Sequence, residues 1–533
     1  MLIGVIDTET DPFKYRRIPK PFCVEFYSDR LTEQFWGDDC IDQLCNYLET
    51  LEGEYLIFAH NGGKFDFHFM FKYLDNPVKI INSRIVSASV FHHTVRDSFS
   101  IIPVPLRDYE KETFDYGKME KNVREKNKSQ ILHYLHSDCV HLYTICSAFV
   151  DRFGPKLTVG STAIAELKKR HKFKRMTAET DAQFRPYYYG GRVECFESGI
   201  IPGPWKVYDV NSMYPKAMRD FNHPCNGAFS HGTTIPTNDE TYFIHFKGFN
   251  HGALPTHTPE GLNFNVPYGE FFACSHEMKV AAKYGLVEIE EIYSVYTALE
   301  HIRFETFVDD FYSEKLASKL AGDKLSEMFS KFMLNSGAGK FGQNPENFED
   351  YQLVREPGRD IELMQEGYNI KQEYPEFEIW AKPSEIFDHS YYDVSIAASI
   401  TSAARSMLLE GIQNAERPIY CDTDSLICKS LNAEISSKTL GAWKDEGTAA
   451  TAAIAGKKLY TLYDNPNTPK KLASKGGDLK IKDIINLCKG KEFIHENMAP
   501  TFSLNKSPHF ITRKFRSTID LKAKSSDKDS NSE

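Results

Sequence analysis

Short apolar runs that end at acid or at a turn recur along this chain. Leu2-Ile-Gly-Val-Ile6 stops at Asp7, and Tyr55-Leu-Ile-Phe-Ala59 stops at His60-Asn61-Gly62-Gly63. Both read as buried strands with polar residues at their C-terminal ends. Over residues 129–150 the period changes: Ile131, Leu132, Leu135, Val140, Leu142 and Ile145 form an apolar stripe among polar neighbours, as on an amphipathic helix. Strands followed by a helix predict an α/β first domain. Arg185-Pro-Tyr-Tyr-Tyr-Gly-Gly191 breaks the pattern, because Pro and paired Gly punctuate structure. Trp205-Lys-Val-Tyr-Asp209 is a second strand-to-turn signal and runs into Asn211-Ser-Met-Tyr-Pro215. Residues 221–300, rich in Gly, Pro, aromatic and β-branched residues, read as short strands and loops. Residues 305–335 turn helical, with Lys315, Lys319, Lys324 and Lys331 along them, and Ser395–Leu409 is a further helix rich in Ala and Ser. Pro418–Cys428 reads as two short strands joined by a tight acidic turn.

The length of 533 residues predicts three or four domains at roughly 100 to 200 residues each. With 41% hydrophobic and 26% charged residues, wholesale disorder, collagen and coiled coil are excluded. The net charge of −10 argues against nucleic acid only on average, since residues 456–528 hold sixteen Lys or Arg against seven Asp or Glu. Eleven Cys without a CxxC pair point to reduced thiols and an intracellular setting. The first ten residues lack the basic start of a signal peptide, and no apolar run approaches the ~18 to 20 residues of a membrane helix. The expectation is a protein with no membrane partner, in the cytoplasm, or in the host cytoplasm if viral.

Asp7 and Glu9 lie two apart at a strand end, so both carboxylates project to one face and can grip a divalent cation. Asp66, in Asn61-Gly-Gly-Lys-Phe65-Asp66, and Asp138 add two acids, and Tyr134 shares a helix face with Asp138 four residues on. Oxygen-liganded Mg²⁺ would relieve the repulsion, and a pair of ions about 4 Å apart can activate a water against a phosphodiester. An isolated Asp-x-Glu is usually a solvated strand end; three acid motifs in the order DxE, Nx3FD, YxxxD are a different matter. This order resembles the DnaQ-like 3′–5′ proofreading exonucleases. The resemblance implies metal ligation by Asp7, Glu9, Asp66 and Asp138, water orientation by Tyr134, and capture of the frayed 3′ end by Asn61 and Phe65. Lys111 would be that family's exonuclease lysine.

The second acid set is Asp209 with Asp422 and Asp424. Asp209-Val-Asn-Ser-Met-Tyr-Pro215 resembles the DxxSLYP motif of family B DNA polymerases, and Tyr420-Cys-Asp-Thr-Asp-Ser425 their YxDTDS motif. Between them Lys331-Phe-Met-Leu-Asn335-Ser336, with Gly339-Lys340, resembles the Kx3NSxYG motif. Lys458-Leu-Tyr460 resembles the primer-binding KxY, and Tyr188-Tyr-Gly190-Gly191 the YxGG linking element. The resemblance implies that Asp209 and Asp424 hold two Mg²⁺, with Mn²⁺ as an alternative and two ions per active site, while Asp422 supports the site. Lys331 and Lys319 would neutralise the triphosphate, Tyr214 would stack beneath the sugar, and Lys458 with Tyr460 would bind the primer end. The chain departs from the motif at Ala338, where the family usually carries tyrosine, which predicts a looser pocket unless a neighbour such as Phe341 fills it.

The implied architecture is an α/β RNase H-like exonuclease domain over 1–185 followed by an α+β right hand. Its palm is 186–220 and 392–477, its fingers 307–342 and its thumb 478–522, with a disordered tail at 523–533. Residues 221–306 and 343–391 fall where protein-primed polymerases of phages and linear plasmids, tectiviruses among them, carry insertions. In that subfamily the first insertion docks a terminal protein and the second aids strand displacement. The expected partners are template-primer DNA, dNTPs and a terminal protein primer, and the expected state is a monomer. A 3′–5′ exonuclease with a degenerate polymerase half, a DNA-primed family B polymerase and a non-catalytic DNA-binding scaffold are the competing readings.

Overall fold

In the computed structural model the N-terminal strand does not stop at its first acid. β1 spans Leu2–Thr10, with Asp7 and Glu9 inside it. The structure describes residues 1–14, 16–106, 113–259, 261–356, 358–384, 392–504 and 506–517; Lys111 and the expected tail at 523–533 lie outside the described residues. The chain forms two compact units.

The first unit gathers residues 1–162 with the described parts of 346–388 and 496–511. Its seven-stranded sheet adds β2 (Pro21–Ser28), β3 (Thr32–Trp36), β4 (Tyr55–Ala59), β5 (Leu74–Ile81), β6 (Arg84–Val90) and β7 (His93–Asp97), in the order β3-β2-β1-β4-β7-β6-β5. β1 runs antiparallel to β2 and parallel to β4, so it is paired on both edges and cannot slide. Alternation then assigns the faces. Ile6, Val24 and Phe26 go into a core with Leu44 and Leu48 of helix α1 (Cys40–Thr50), and each such burial contributes about 1.5–3 kcal/mol. Asp7 and Glu9 face the other way. A one-turn helix α2 (Asp66–Phe69) follows β4, and α3 (Lys128–Phe153), slightly longer than the stripe that predicts it, packs on β1 and β2.

Two later segments complete this unit. Strands Glu349–Val354, Asn369–Glu373 and Glu378–Pro383 form a small sheet that docks through Leu353, whose N–H and carbonyl both bond the Asn76 side chain at 3.0 and 2.8 Å. Phe377 and Ile379 enter the same core as Phe71 and Leu74. Phe502, 4% exposed, packs its ring on Phe65, His68 and Phe69 at 5.7, 5.0 and 5.8 Å.

The second unit comprises 163–345 and the described parts of 389–495 and 512–533. After α4 (Val159–Arg170) and α5 (Ala178–Phe184) come β8 (Val193–Cys195) and the long β9 (Gly199–Val210). β9 is the centre of a seven-stranded sheet ordered Thr468–Ser474, Leu459–Asn465, Trp443–Gly456, β9, Ser425–Cys428, Tyr420–Asp422, β8. Helix α6 (Met213–Asp220) follows β9. The region expected to hold only strands and loops contains a four-stranded sheet and also a helix, α7 (Ser275–Lys283). The lysine-bearing stretch is two helices, α8 (Glu305–Ala321) and α9 (Lys324–Phe341), because Gly322 turns left-handed at φ 74° and the Asp323 side chain caps α9. The Ala/Ser-rich helix Val394–Gln413 is buried almost throughout. Its small residues admit close neighbours, and a β-carbon on Gly411 would overlap the Trp443 ring.

Two boundaries differ from the sequence reading. Residues 163–185 pack with the second unit rather than the first, because Phe184 is buried against Phe229, Phe243 and Tyr296 at 4.3, 5.0 and 5.5 Å. Residues 496–511, expected in the thumb at 478–522, belong to the first unit because Phe502 completes its aromatic cluster.

Deep in the second unit Arg405 forms a two-pronged pair with Glu277, at 2.7 and 2.6 Å, both side chains almost wholly enclosed. Removing one partner strands the other's charge, which costs about 3–5 kcal/mol. Glu277→Ala should therefore lower the thermal midpoint of the second unit's unfolding, by differential scanning calorimetry, while leaving the first unit's transition in place; an unchanged midpoint would show that the pair is not holding the unit together.

Candidate active sites

In the first unit β1 and α3 bring three acids together. Ligand oxygens of Asp7, Glu9 and Asp138 all lie within 4.8 Å of one another. The fourth acid, Asp66, opens α2 just past the Asn61–Lys64 turn and is 2% exposed. Burial, and then the charge of Asp7, push its carboxyl well above the usual range, and its Oδ1 is enclosed with no hydrogen-bond partner among the described residues. A compact set of hard oxygen donors with a stranded carboxylate oxygen fits a divalent cation such as Mg²⁺ or Mn²⁺. Tyr134 is buried beside them, stacked on Phe114 at 4.5 Å with its hydroxyl 3.0 Å from that of Tyr116. Burial and the neighbouring Tyr116, Asp138 and Glu9 raise its pKa, so at neutral pH it carries its proton. Asn61 adopts a left-handed conformation at φ 61° and, with Asp7, His60, Phe99, Leu106 and Tyr116, lines a cavity of about 430 Å³. Phe65 stands edge-on to Phe13 at 6.0 Å and to Phe69 at 5.2 Å. Asp97 went unnoticed in the sequence: it pairs with Arg84 and accepts the Gly63 N–H at 3.2 Å, fixing the turn that carries Asp66.

In the second unit Asp209 sits on β9 directly opposite Ser425 on one side and Lys444 on the other. Ser425 closes a hairpin against Asp422 through the two-residue turn Thr423-Asp424, with Thr423 left-handed at φ 59°. The Asp424 carbonyl accepts the Val210 N–H at 2.8 Å, which pins the turn to the end of β9. The two distant aspartates therefore meet. Burial, then Asp424, then Glu446 raise the Asp209 carboxyl to about 6, and burial with the neighbouring Asp422 raises Asp424. Asp422 is held differently, taking Lys458 Nζ at 2.9 Å and the Thr423 hydroxyl at 3.1 Å. Tyr460 is buried against Tyr420 at 4.6 Å; burial and the nearby charges of Asp422, Glu446 and Asp209 hold its hydroxyl at about 12. Gly191 is required where it stands, since a β-carbon would press on the Thr423 side chain at 2.8 Å. Gly190 is exposed, and its carbonyl, like that of Tyr189, accepts from Arg405.

Tyr214 follows Ser212, which is left-handed at φ 53° and starts α6. Burial raises the Tyr214 pKa; Arg405 beside it lowers it, and Tyr188 and Asp424 raise it further. Lys319, Lys331 and Asn335 are exposed. Burial, then Lys331 and later Lys319, depress Lys315, whose Nζ lies 3.4 Å from the Ser212 hydroxyl. The α8–α9 pair thus presents a group of cations tied to the turn after Asp209. Glu446 escaped notice in the sequence because it lies on a strand among ordinary surface charges; it takes Lys471 Nζ at 3.0 Å and Lys444 Nζ at 3.4 Å. Arg405 did leave a signal, as a lone cation in a small-residue stretch of helix.

The family described as DNA polymerase type B, organellar and viral, matches residues 105–426. The chain is 42% identical to the DNA-directed DNA polymerase of Enterobacteria phage PRD1, over 97% of this chain and 98% of that one. It is 24% identical to the DNA polymerase of Bacillus phage phi29, over 69% and 67%. Among solved structures, phi29 DNA polymerase complexed with primer-template DNA and incoming nucleotide substrates aligns with a TM-score of 0.73 at 17% identity, over 97% of this chain and 99% of that one. No helix among the described residues is long and apolar enough to cross a membrane.

The raised Asp209 carboxyl has a stability consequence. Between its unfolded value of 3.8 and its folded value of about 6 the folded state binds more protons than the unfolded one, so stability falls as pH rises through that window. In chelator, Asp209→Asn should match the wild type below about pH 4 and exceed it in stability above about pH 6. Adding Mg²⁺ should narrow or reverse the gap by stabilising only the wild type. Equal urea midpoints for the two proteins at pH 7 in chelator would contradict the assignment.

Proposed function

This chain belongs to the family B DNA polymerases of the protein-primed type, and from that premise we propose that it replicates a linear genome from a terminal protein and proofreads its product 3′ to 5′. Two metal-binding acid groups would carry this out, one in each unit. The observation that carries the proposal is the meeting of Asp209 with Asp424 in one unit, while Asp7, Glu9 and Asp138 gather in the other. On this reading the first unit is an RNase H-like exonuclease, and the second contributes palm, fingers and thumb.

At the synthetic site Asp209 and Asp424 would hold Mg²⁺ or Mn²⁺, with Glu446 and Asp422 beside them. The ions, when bound, supply charge neutralisation and activation of an oxygen nucleophile. Lys331 and Lys319, with Lys315 behind them, would draw in the triphosphate, since positioned cations stabilise the charge that builds on the leaving group. Tyr214 would stack beneath the sugar, and Lys458 and Tyr460 would hold the primer end. At the trimming site Asp7, Glu9, Asp66 and Asp138 would hold the ions. Tyr134, protonated at neutral pH, would donate to and orient the attacking water, while Asn61 and Phe65 retain the frayed strand. The basic 456–528 segment supports duplex contact through phosphates. Residues 221–306 would dock the terminal protein, whose hydroxyl takes the place of the primer end, and 343–391 would aid strand displacement.

Primed template with Mg²⁺, assayed with and without dNTPs, separates the activities. Asp424→Ala should lower extension by about a thousandfold and leave degradation, the scale on which loss of a metal ligand or oxyanion donor acts. Asp7→Ala combined with Glu9→Ala should do the reverse; loss of both activities in both variants would defeat the two-site reading. Priming is tested separately: incubation with labelled dNTP and the terminal protein of the same genome should leave a covalent protein–nucleotide adduct, and its absence under conditions where DNA primers are extended would leave DNA priming as the mode.

A further inference from the structure

Lys331, Asn335, Ala338 and Gly342 are spaced i, i+4, i+7 and i+11 along and just past α9, so they lie on one face. The first two are exposed and polar, whereas Ala338, with only a methyl, is 7% exposed and must be covered by something. Phe341 is not that cover. It is fully buried and turned to another side, against Phe304 and Phe173 at 5.4 and 5.7 Å. The ring at the end of the stripe is Tyr188: a β-carbon at Gly342 would overlap its hydroxyl. Because helical Cα–Cβ bonds tilt towards the N-terminus, that point of overlap lies over the turn containing Ala338.

Tyr188 is itself only half-buried, so part of its ring stays available. It is near enough to Tyr214 to raise that hydroxyl's pKa, and Tyr214 feels Asp424 in turn. Three residues further on, Gly191 lies against the Thr423 side chain, and the Thr423 N–H bonds the Arg192 carbonyl at 2.7 Å, so the segment that carries Tyr188 runs from the end of the α9 stripe to the Asp422–Asp424 turn. Two arginines fix it there. Arg185 donates to the carbonyls of Gly342 and Gln343 at 2.9 and 2.7 Å, where the end of a helix leaves acceptors unpaired, and is paired with Asp181. Arg405, paired with Glu277, holds the carbonyls of Tyr189 and Gly190 at 2.6 and 2.9 Å. The backbone on both sides of Tyr188 is thus anchored through a guanidinium to a buried carboxylate.

We propose that Tyr188 is a specificity-determining residue of nucleotide insertion: its ring, held over the Ala338–Gly342 strip by Arg185 and Arg405, is the wall against which the incoming base is fitted, while Lys331 on the same stripe takes the phosphates. The proposal rests on the polymerase reading of the Asp209–Asp424 site. A rigid wall discriminates by shape, and shape differences of this kind are worth about 10- to 200-fold.

The test is single-nucleotide insertion on a primer whose 3′ linkage is a phosphorothioate, so that degradation does not mask misinsertion. Tyr188→Phe should keep the ratio of wrong to right kcat/KM within about twofold of wild type, and Tyr188→Leu and Tyr188→Ala should raise it about tenfold or more. Ala338→Tyr should lower correct insertion, because the new ring competes with Tyr188 for one strip, and should recover it in the Tyr188→Ala background, a non-additivity expected only of residues in contact. The proposal is overturned if Tyr188→Leu slows right and wrong insertion by the same factor, or if the two substitutions simply add. A wild type that extends no primer would instead sink the polymerase reading itself.

Discussion

Like charges at close quarters set the terms for this molecule. Two carboxylates 4 Å apart repel by about 4 kcal/mol at the effective dielectric of a protein surface, and the chain assembles such groups twice. In each unit the acid-bearing strand is an interior strand of a seven-stranded sheet, bonded on both edges. Backbone pairing makes the positions of Asp7, Glu9 and Asp209 non-negotiable, and a second element then delivers the opposing acid. That element is α3 for Asp138 and the Tyr420–Cys428 hairpin for Asp424. Burial first, and the neighbouring carboxylates after it, raise the carboxyl pKa values at Asp66, Asp209 and Asp424, and packing beneath the sheets offsets the cost.

Much of this was legible wherever chemistry follows local spacing. An Asp-x-Glu on a strand, a tyrosine four residues before an aspartate on a helix, and a two-residue acidic turn between strands each have one geometric outcome. The structure gives that outcome at Asp7 and Glu9, at Tyr134 and Asp138, and at Asp422 and Asp424. What could not be read depends on partners far along the chain. Asp97 becomes a brace only because β7 lies near the Gly63 turn, and Glu446 becomes a neighbour of Asp209 only through strand pairing. The helix α7 is short and follows directly on a strand of the four-stranded sheet, so its period is too brief to stand out. The placement of residues 163–185 turns on one ring, Phe184, whose three aromatic partners are all distant in sequence.

Arginines recur wherever an irregular segment must be held still. Arg84, Arg185, Arg192 and Arg405 each pair with a largely buried carboxylate, and Arg185 and Arg405 also spend N–H groups on main-chain carbonyls. A planar fork suits this double duty, which a lysine ammonium would satisfy less well. The irregular segments beside the acids thereby gain fixed side-chain anchors without the regular pairing that would hide them from a substrate.

The first unit's aromatic cluster has an implication for how the protein comes into being. Phe65, His68 and Phe69 are translated early, yet the ring that covers them, Phe502, leaves the ribosome more than four hundred codons later. During that interval those rings lack the cover they have in the finished fold, and the unit is complete only when residues 496–511 have been added. A need for shielding by a chaperone until the last of these segments has been made is the natural corollary of weaving one globule from stretches so far apart.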